Sequence, residues 1–299
     1  MLDDPRAREA VQAFFAQYLD LGRLEGLDRD PARYPLASAS LPHAMRTELE
    51  LLVDDLVFRR DADLRDLFRT RRTFVNDELA ALYGIDAEGA TRVRFVPVEL
   101  PADGPRAGML TLGAFLAMNA HPTETSPTLR GKYVRERILC ELVPPPPDDV
   151  ALELDPDPAM PRTLRERLEL HRTRPDCAAC HAVIDPPGFL FEGFDSIGAV
   201  RTHDSGYPVD TSGALDGIEL SDGRDLGEAL AQDPRVPRCM VRQLYRHASA
   251  RLELREEELA VTMLTREFAE SGYRFRELLL ALATSEAFRT AGAIEAEDE

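Results

Sequence analysis

Pro175-Asp176-Cys177-Ala178-Ala179-Cys180-His181 places two thiols and one imidazole within about one turn of chain. C-x-x-C-H is the spacing at which two thiols add across the vinyl groups of a porphyrin while the imidazole takes the iron from one face. The expectation is one covalently bound haem c, held by Cys177 and Cys180, with His181 as the proximal iron ligand. Ala178 and Ala179 are too small to obstruct a macrocycle, and Pro175-Asp176 suits the start of a helical turn. Gly188, Phe189, Phe191 and Phe194 follow and offer aromatic surface to a flat apolar ligand. The same residues admit other chemistries. Cys177 and Cys180 would also serve as a local disulfide or as free thiols. A thioredoxin-like pair lacks its βαβ surroundings. A zinc site lacks a second C-x-x-C or an H-x-x-x-H pair, so the isolated Cys140 and Cys239 would have to complete four sulfurs.

A second axial ligand is not marked by any motif. Met240 and Met263 lie downstream in segments that read as helices, where a core role competes with ligation. His121 and His203 lie in loops. His43, His171 and His247 fall in helices and read as surface or packing residues. The sixth position therefore stays unassigned, with Met240 and His121 as its candidates and an open position as the alternative. An open position would favour small-ligand or peroxide chemistry over plain electron transfer.

Working outward from the motif, most of the chain carries helical periodicity. Val11, Phe14, Phe15, Tyr18 and Leu19 mark a helix over 5–22, and Met45, Leu49, Leu52, Val53 and Val57 another over 41–59. Asn76 reads as an N-cap and Gly84 as the stop of a short helix. Alternation over 92–98 gives a strand that Pro97 confines to an edge. Further helices are expected over 108–119, 128–142 and 162–173. Loops are expected over 182–223, with a small hairpin around Asp204-Ser205-Gly206, and helices over 225–232, 236–250, 254–271 and 274–289. The fold class is mainly α: helical modules around one or two cores, a short edge strand, a small β-hairpin, and the C-x-x-C-H segment in the C-terminal module. Residues 1–85 read as a helical module. Residues 86–158 form a middle module closed by the Pro144–Pro147 spacer. Residues 159–292 form the C-terminal module, and 293–299 a disordered tail.

With 299 residues, 44% hydrophobic and 30% charged, the chain can bury a sizeable core. A net charge of −18 removes the positive footprint that nucleic acid or an anionic membrane requires. No apolar run is long enough for a bilayer span. Met1-Leu2-Asp3-Asp4-Pro5 has no basic-then-apolar pattern, so no signal peptide is read there; the chain is either cytosolic or the rear part of a longer precursor. Cys140 and Cys239 are a candidate disulfide between the middle and last modules, with two buried thiols as the alternative.

Three motif sets together resemble a bacterial family of cytochrome-c-like multidomain proteins typical of planctomycetes and myxobacteria. Thr73-Phe74-Val75-Asn76 with Leu82-Tyr83-Gly84 resembles the end of the domain-of-unknown-function family numbered 1592. Arg106 to Thr111, His121-Pro122 to Pro127, Arg130-Gly131-Lys132 and Pro144 to Pro147 resemble family 1588. Cys177 to His181, Asp185 to Phe189, Glu192 to Gly198, and Tyr273 to Phe275 with Phe288-Arg289 resemble family 1585. The resemblance implies a periplasmic or extracellular protein whose partners are a redox protein or upstream domains of the same polypeptide. It also implies a truncated chain, because such proteins carry a secretion signal and further domains ahead of these modules. It brings no substrate.

An electron-transfer or haem-binding module is thus the leading functional expectation. A non-catalytic envelope scaffold, with Cys177 and Cys180 as a disulfide, is the alternative. The acidic pairs Asp54-Asp55, Asp148-Asp149 and Asp185 with Asp195 raise hydrolysis as a third class. No G-x-S-x-G, P-loop or H-E-x-x-H accompanies them, and no independent catalytic activity is expected.

Overall fold

α1 (Pro5–Tyr18) begins at Asp4, whose carboxylate accepts the Arg6 amide at 3.0 Å while proline opens the first turn. Val11, Phe14, Phe15 and Tyr18 are its buried stripe. α2 (Leu41–Asp54) continues into a wider-wound turn over Asp55–Arg59, giving the single rod expected from the periodicity. Asp54 pairs with Arg8 and Arg59, and Asp55 with Arg60 and Arg72, so this acidic pair is a set of ion pairs at a helix end. In the computed structural model, residues 2–145, 163–173 and 175–290 are described. Asp148-Asp149, the spacer beyond Pro145 and the tail 293–299 lie outside them.

β1 (Arg72–Val75) and β2 (Val96–Glu99) form an antiparallel ribbon with Phe74 opposite Pro97. A two-stranded ribbon is all edge, which is where proline is tolerated. α3 (Asp77–Tyr83) is capped by Asn76, which accepts the Leu79 amide at 3.0 Å, and ends at Gly84 with φ +66°. The segment 108–119 splits into a tight turn, Met109–Thr111, and the wholly buried α4 (Gly113–Met118). α5 (Pro127–Tyr133), capped by Ser126, runs on through Val134–Ile138. α6 (Leu164–His171) starts with a capping box between Thr163 and Glu166.

α7 (Pro175–Phe189) departs from the sequence expectation of loops after residue 182: the helix continues through Pro186 and Pro187. A proline removes one N–H and frees the carbonyl four residues back. The Val183 carbonyl freed by Pro187 accepts from Arg135 Nε at 3.3 Å, and the Ala182 carbonyl freed by Pro186 belongs to an exposed residue. One of the two freed carbonyls is thus served from outside the helix by Arg135. The expected hairpin forms as β3 (His203–Asp204) and β4 (Tyr207–Pro208). A second, unforeseen one, β5 (Gly213–Leu215) and β6 (Ile218–Leu220), turns at Asp216-Gly217. The helices α8 (Gly223–Gln232), α9 (Arg235–Ser249), α10 (Glu258–Glu270), α11 (Phe275–Thr284) and α12 (Glu286–Arg289) complete a mainly α fold.

One continuous apolar core runs from Val11 to Leu282 and draws on all three expected modules; a satellite of Leu164, Leu168 and Phe189 lies under α6. Cys140 and Cys239 are disulfide-bonded, fastening the end of the α5 segment to α9. Two buried polar clusters knit the modules. Glu48, with no exposed surface, accepts from Thr73 Oγ1 at 2.7 Å and Tyr83 Oη at 2.5 Å. The Tyr83 oxygen accepts the Gly113 amide at 2.9 Å, and the Arg106 guanidinium lies 4.3 Å from the Tyr83 ring centroid. Burial pushes the Glu48 carboxyl up to about 7. Arg130, fully buried, donates to the carbonyls of Phe191 and Asp195 and pairs with Glu192.

Candidate functional site

α5 and α7 cross with backbone on backbone. A Cβ at Gly131 would sit 1.6 Å from the Ile184 carbonyl oxygen, and one at Gly188 1.8 Å from that of Pro127. Only glycine permits this approach, and it sets Thr128 of α5 beside Asp185 of α7. α6 covers another side of α7 through Leu164, Leu168 and Phe189, with Arg165 4.5 Å from the Phe189 ring centroid.

Within this frame Cys177, Cys180 and His181 occupy positions i, i+3 and i+4 of α7, so they share a helical face. Both cysteines are free thiols, Cys177 buried and Cys180 half-buried. His181 Nδ1 stands 3.1 and 3.0 Å from the two carboxylate oxygens of Asp185. Asp185 has no exposed surface and also accepts from Thr128 Oγ1 at 2.8 Å. A carboxylate only accepts, so Nδ1 carries the hydrogen, and in the neutral ring Nε2 keeps its lone pair. The His181 side chain is 20% exposed.

The residues fit a covalent porphyrin in two respects. Neither thiol is committed to another bond, and the imidazole is held by the nitrogen that would not bind iron. Ala179, Ala182 and Val183, which are exposed, lie on the opposite side of α7 from Cys177, Cys180 and His181. The four-sulfur zinc alternative is closed, because Cys140 and Cys239 are bonded to each other. Among the described residues no three His, Cys, Asp or Glu side chains converge as a metal site.

Sequence reasoning missed Asp185 as the partner of His181; its reading of His171 as a surface or packing residue agrees with the structure. The His171 ring packs edge-on against His181 with centroids 4.9 Å apart. The i, i+4 spacing of His181 and Asp185 on one helix was the available signal. The sixth-ligand candidates are scattered. Met240 is buried in the main core on α9, and Met263 is exposed on α10. His121 is exposed in a loop fastened to α6 by the 2.8 Å Glu124–Arg167 pair, and His203 is exposed on β3. Neither Met240 nor His121 makes a hydrogen bond or ring contact with His181 among the described residues. Asp195 is not catalytic in form: it accepts the Ile197 and Ala199 amides and shapes a turn.

Comparison with known families returns three matches in tandem. Residues 1–85 match the family described as Protein of unknown function (DUF1592), 106–204 match Protein of unknown function (DUF1588), and 216–288 match Protein of unknown function (DUF1585). No curated protein and no solved structure matches the chain. The second match takes in Thr128, Asp185 and the whole of Cys177–His181, which the motif resemblance had placed with the third. The α5–α7 crossing gives the physical reason, since the helix bearing the cysteines is locked to the middle segment.

Proposed function

We propose that this tandem of three domains of unknown function is a haem-binding, electron-transfer module. It carries one haem c on Cys177 and Cys180, with His181 as proximal ligand. The observation that carries the reading is the state of His181: Nδ1 is tied to a buried carboxylate, and Nε2 is left on the same helical face as two uncommitted thiols. Each thiol would add across a vinyl double bond, sulfur to one carbon and hydrogen to the other, so no external oxidant is needed. The bound group supplies a one-electron iron couple. The chain's own residues position and tune it: Asp185 fixes the His181 ring, and Cys177 and Cys180 on the same helical face hold the macrocycle's edge. Met240 and His121 remain the candidates for the sixth position.

The working compartment is the periplasm or the cell exterior, in keeping with the Cys140–Cys239 disulfide. Its partners are a redox protein or further domains of the same polypeptide. No catalytic activity of its own is proposed. The test is to export the full chain in a host with haem-maturation machinery and extract it with acid acetone. A Soret band that stays with the protein, and disappears in Cys177→Ala and Cys180→Ala, supports the reading. Colourless protein from that host refutes it, and favours a scaffold in which the two cysteines pair.

A further inference from the structure

Asp185 is an expensive residue to keep. A fully buried carboxylate needs a compensating partner. Among the described residues no Arg or Lys pairs with it; its contacts are His181 Nδ1 and the Thr128 hydroxyl. An asparagine there would keep the volume and an acceptor oxygen without burying a charge. Among the described residues the carboxyl faces two groups, the Thr128 hydroxyl and the His181 ring.

We propose that Thr128, Asp185 and His181 form a relay that sets the electron-donor strength of His181 as an axial ligand, with Asp185 and Thr128 as positioning residues. The inference rests on the haem-binding reading and deepens it. The carboxylate draws the Nδ1 hydrogen toward itself, which pushes electron density onto Nε2 and favours the more positive iron oxidation state. The Thr128 hydroxyl bond draws charge off Asp185 and moderates that push. The two residues thus act in opposite directions on one imidazole. The α5–α7 crossing supplies the rigidity, because Thr128 and Asp185 stand on the helices that Gly131 and Gly188 bring together.

The test is the midpoint potential of the haem-loaded full chain in wild type, Asp185→Asn and Thr128→Val. Loss of such a partner typically changes metal affinity about 10- to 100-fold. A tenfold loss of preference for the oxidised iron raises a one-electron potential by about 59 mV. Asp185→Asn is expected to rise by at least that much, and Thr128→Val to fall by less. Unchanged potentials in both variants overturn the relay, as does a shift in the same direction in both. Should Asp185→Asn fail to fold, the fall in Thr128→Val decides. A wild type that takes up no haem sinks the haem reading instead. The ring-nitrogen chemical shifts of His181 in the haem-free chain then decide the dyad. A hydrogen on Nδ1 with a bare Nε2 supports it, and the reverse tautomer overturns it.

Discussion

Replacing Gly131 with alanine should disable both the fold and the site through one contact. The added carbon would lie 1.6 Å from the Ile184 carbonyl oxygen, where real Cβ contacts do not fall below 3.0 Å. The helices must therefore part by about 1.4 Å, the difference between those distances. Both clashing atoms are fixed to backbone, so no rotamer change relieves the contact. Overpacking of a well-filled site costs about 1–3 kcal/mol, and a rigid pair belongs at or above the top of that range, about 3 kcal/mol or more. The same displacement carries Thr128 Oγ1, now 2.8 Å from Asp185, beyond hydrogen-bonding range. Urea denaturation measures the first effect, and covalent haem uptake on export measures the second. Gly22→Ala is the control, since nothing lies within 4 Å of that position and its φ is not positive. It should change stability by less than about 1 kcal/mol. A Gly131→Ala protein within about 0.5 kcal/mol of wild type would refute the claim that this crossing depends on glycine.

Other outcomes follow from the buried groups. The Glu48 carboxyl is raised from 4.5 to about 7, so its contribution is fully present below about pH 4.5 and is lost as pH rises through 7. The loss amounts to roughly 3 kcal/mol. Melting temperature should fall from pH 5 to pH 8 in wild type and much less in Glu48→Gln; equal slopes would contradict this. The Cys140–Cys239 bond closes a loop with a sequence separation of 99. Cys140→Ser with Cys239→Ser should lose about 2–5 kcal/mol in denaturant titrations, and reductant should impose the same loss on wild type. A loss below about 1 kcal/mol in both would count against a structural bond. Arg130→Met strips donors from the Phe191 and Asp195 carbonyls and removes one of the two arginines beside Glu192, which keeps Arg201 at 2.7 Å and Thr125 Oγ1 at 3.2 Å. Chemical unfolding should register about 1–3 kcal/mol lost for each carbonyl left unsatisfied, and a near-neutral result would show the cluster to be dispensable.

Much of this architecture was legible wherever a local rule decides the outcome. Asn76 and Gly84 bracket α3 as their capping chemistry requires, and the apolar stripe of α1 lies buried as its spacing implies. The rule failed where a distant group overrode it. Pro186-Pro187 reads as a helix break, yet α7 passes through because Arg135, about fifty residues earlier, takes up a freed carbonyl. Asp216-Gly217 between Leu215 and Ile218 is a hairpin signal that was there to be read. At the site, the cysteines and His181 were visible as a pentapeptide, and Asp185 was visible as part of a proline-rich motif and as an acidic pair with Asp195, but not as the partner of His181. Its role depends on burial and on Thr128, neither of which sequence spacing conveys. The motif residues Thr73, Tyr83 and Arg106 were noticed individually. That they gather around Glu48 needed the tertiary structure, because partners in a buried network lie far apart along the chain.

Permanent bonds from two sulfurs to one porphyrin are what the proposed function requires. The intact mass of the denatured chain, purified after export with haem-maturation machinery, tests it most directly. A gain of one haem mass in wild type, absent when both Cys177 and Cys180 are alanine, is the predicted result. An unmodified mass, or a deficit of two hydrogens in the peptide joining Cys177 to Cys180, would contradict it.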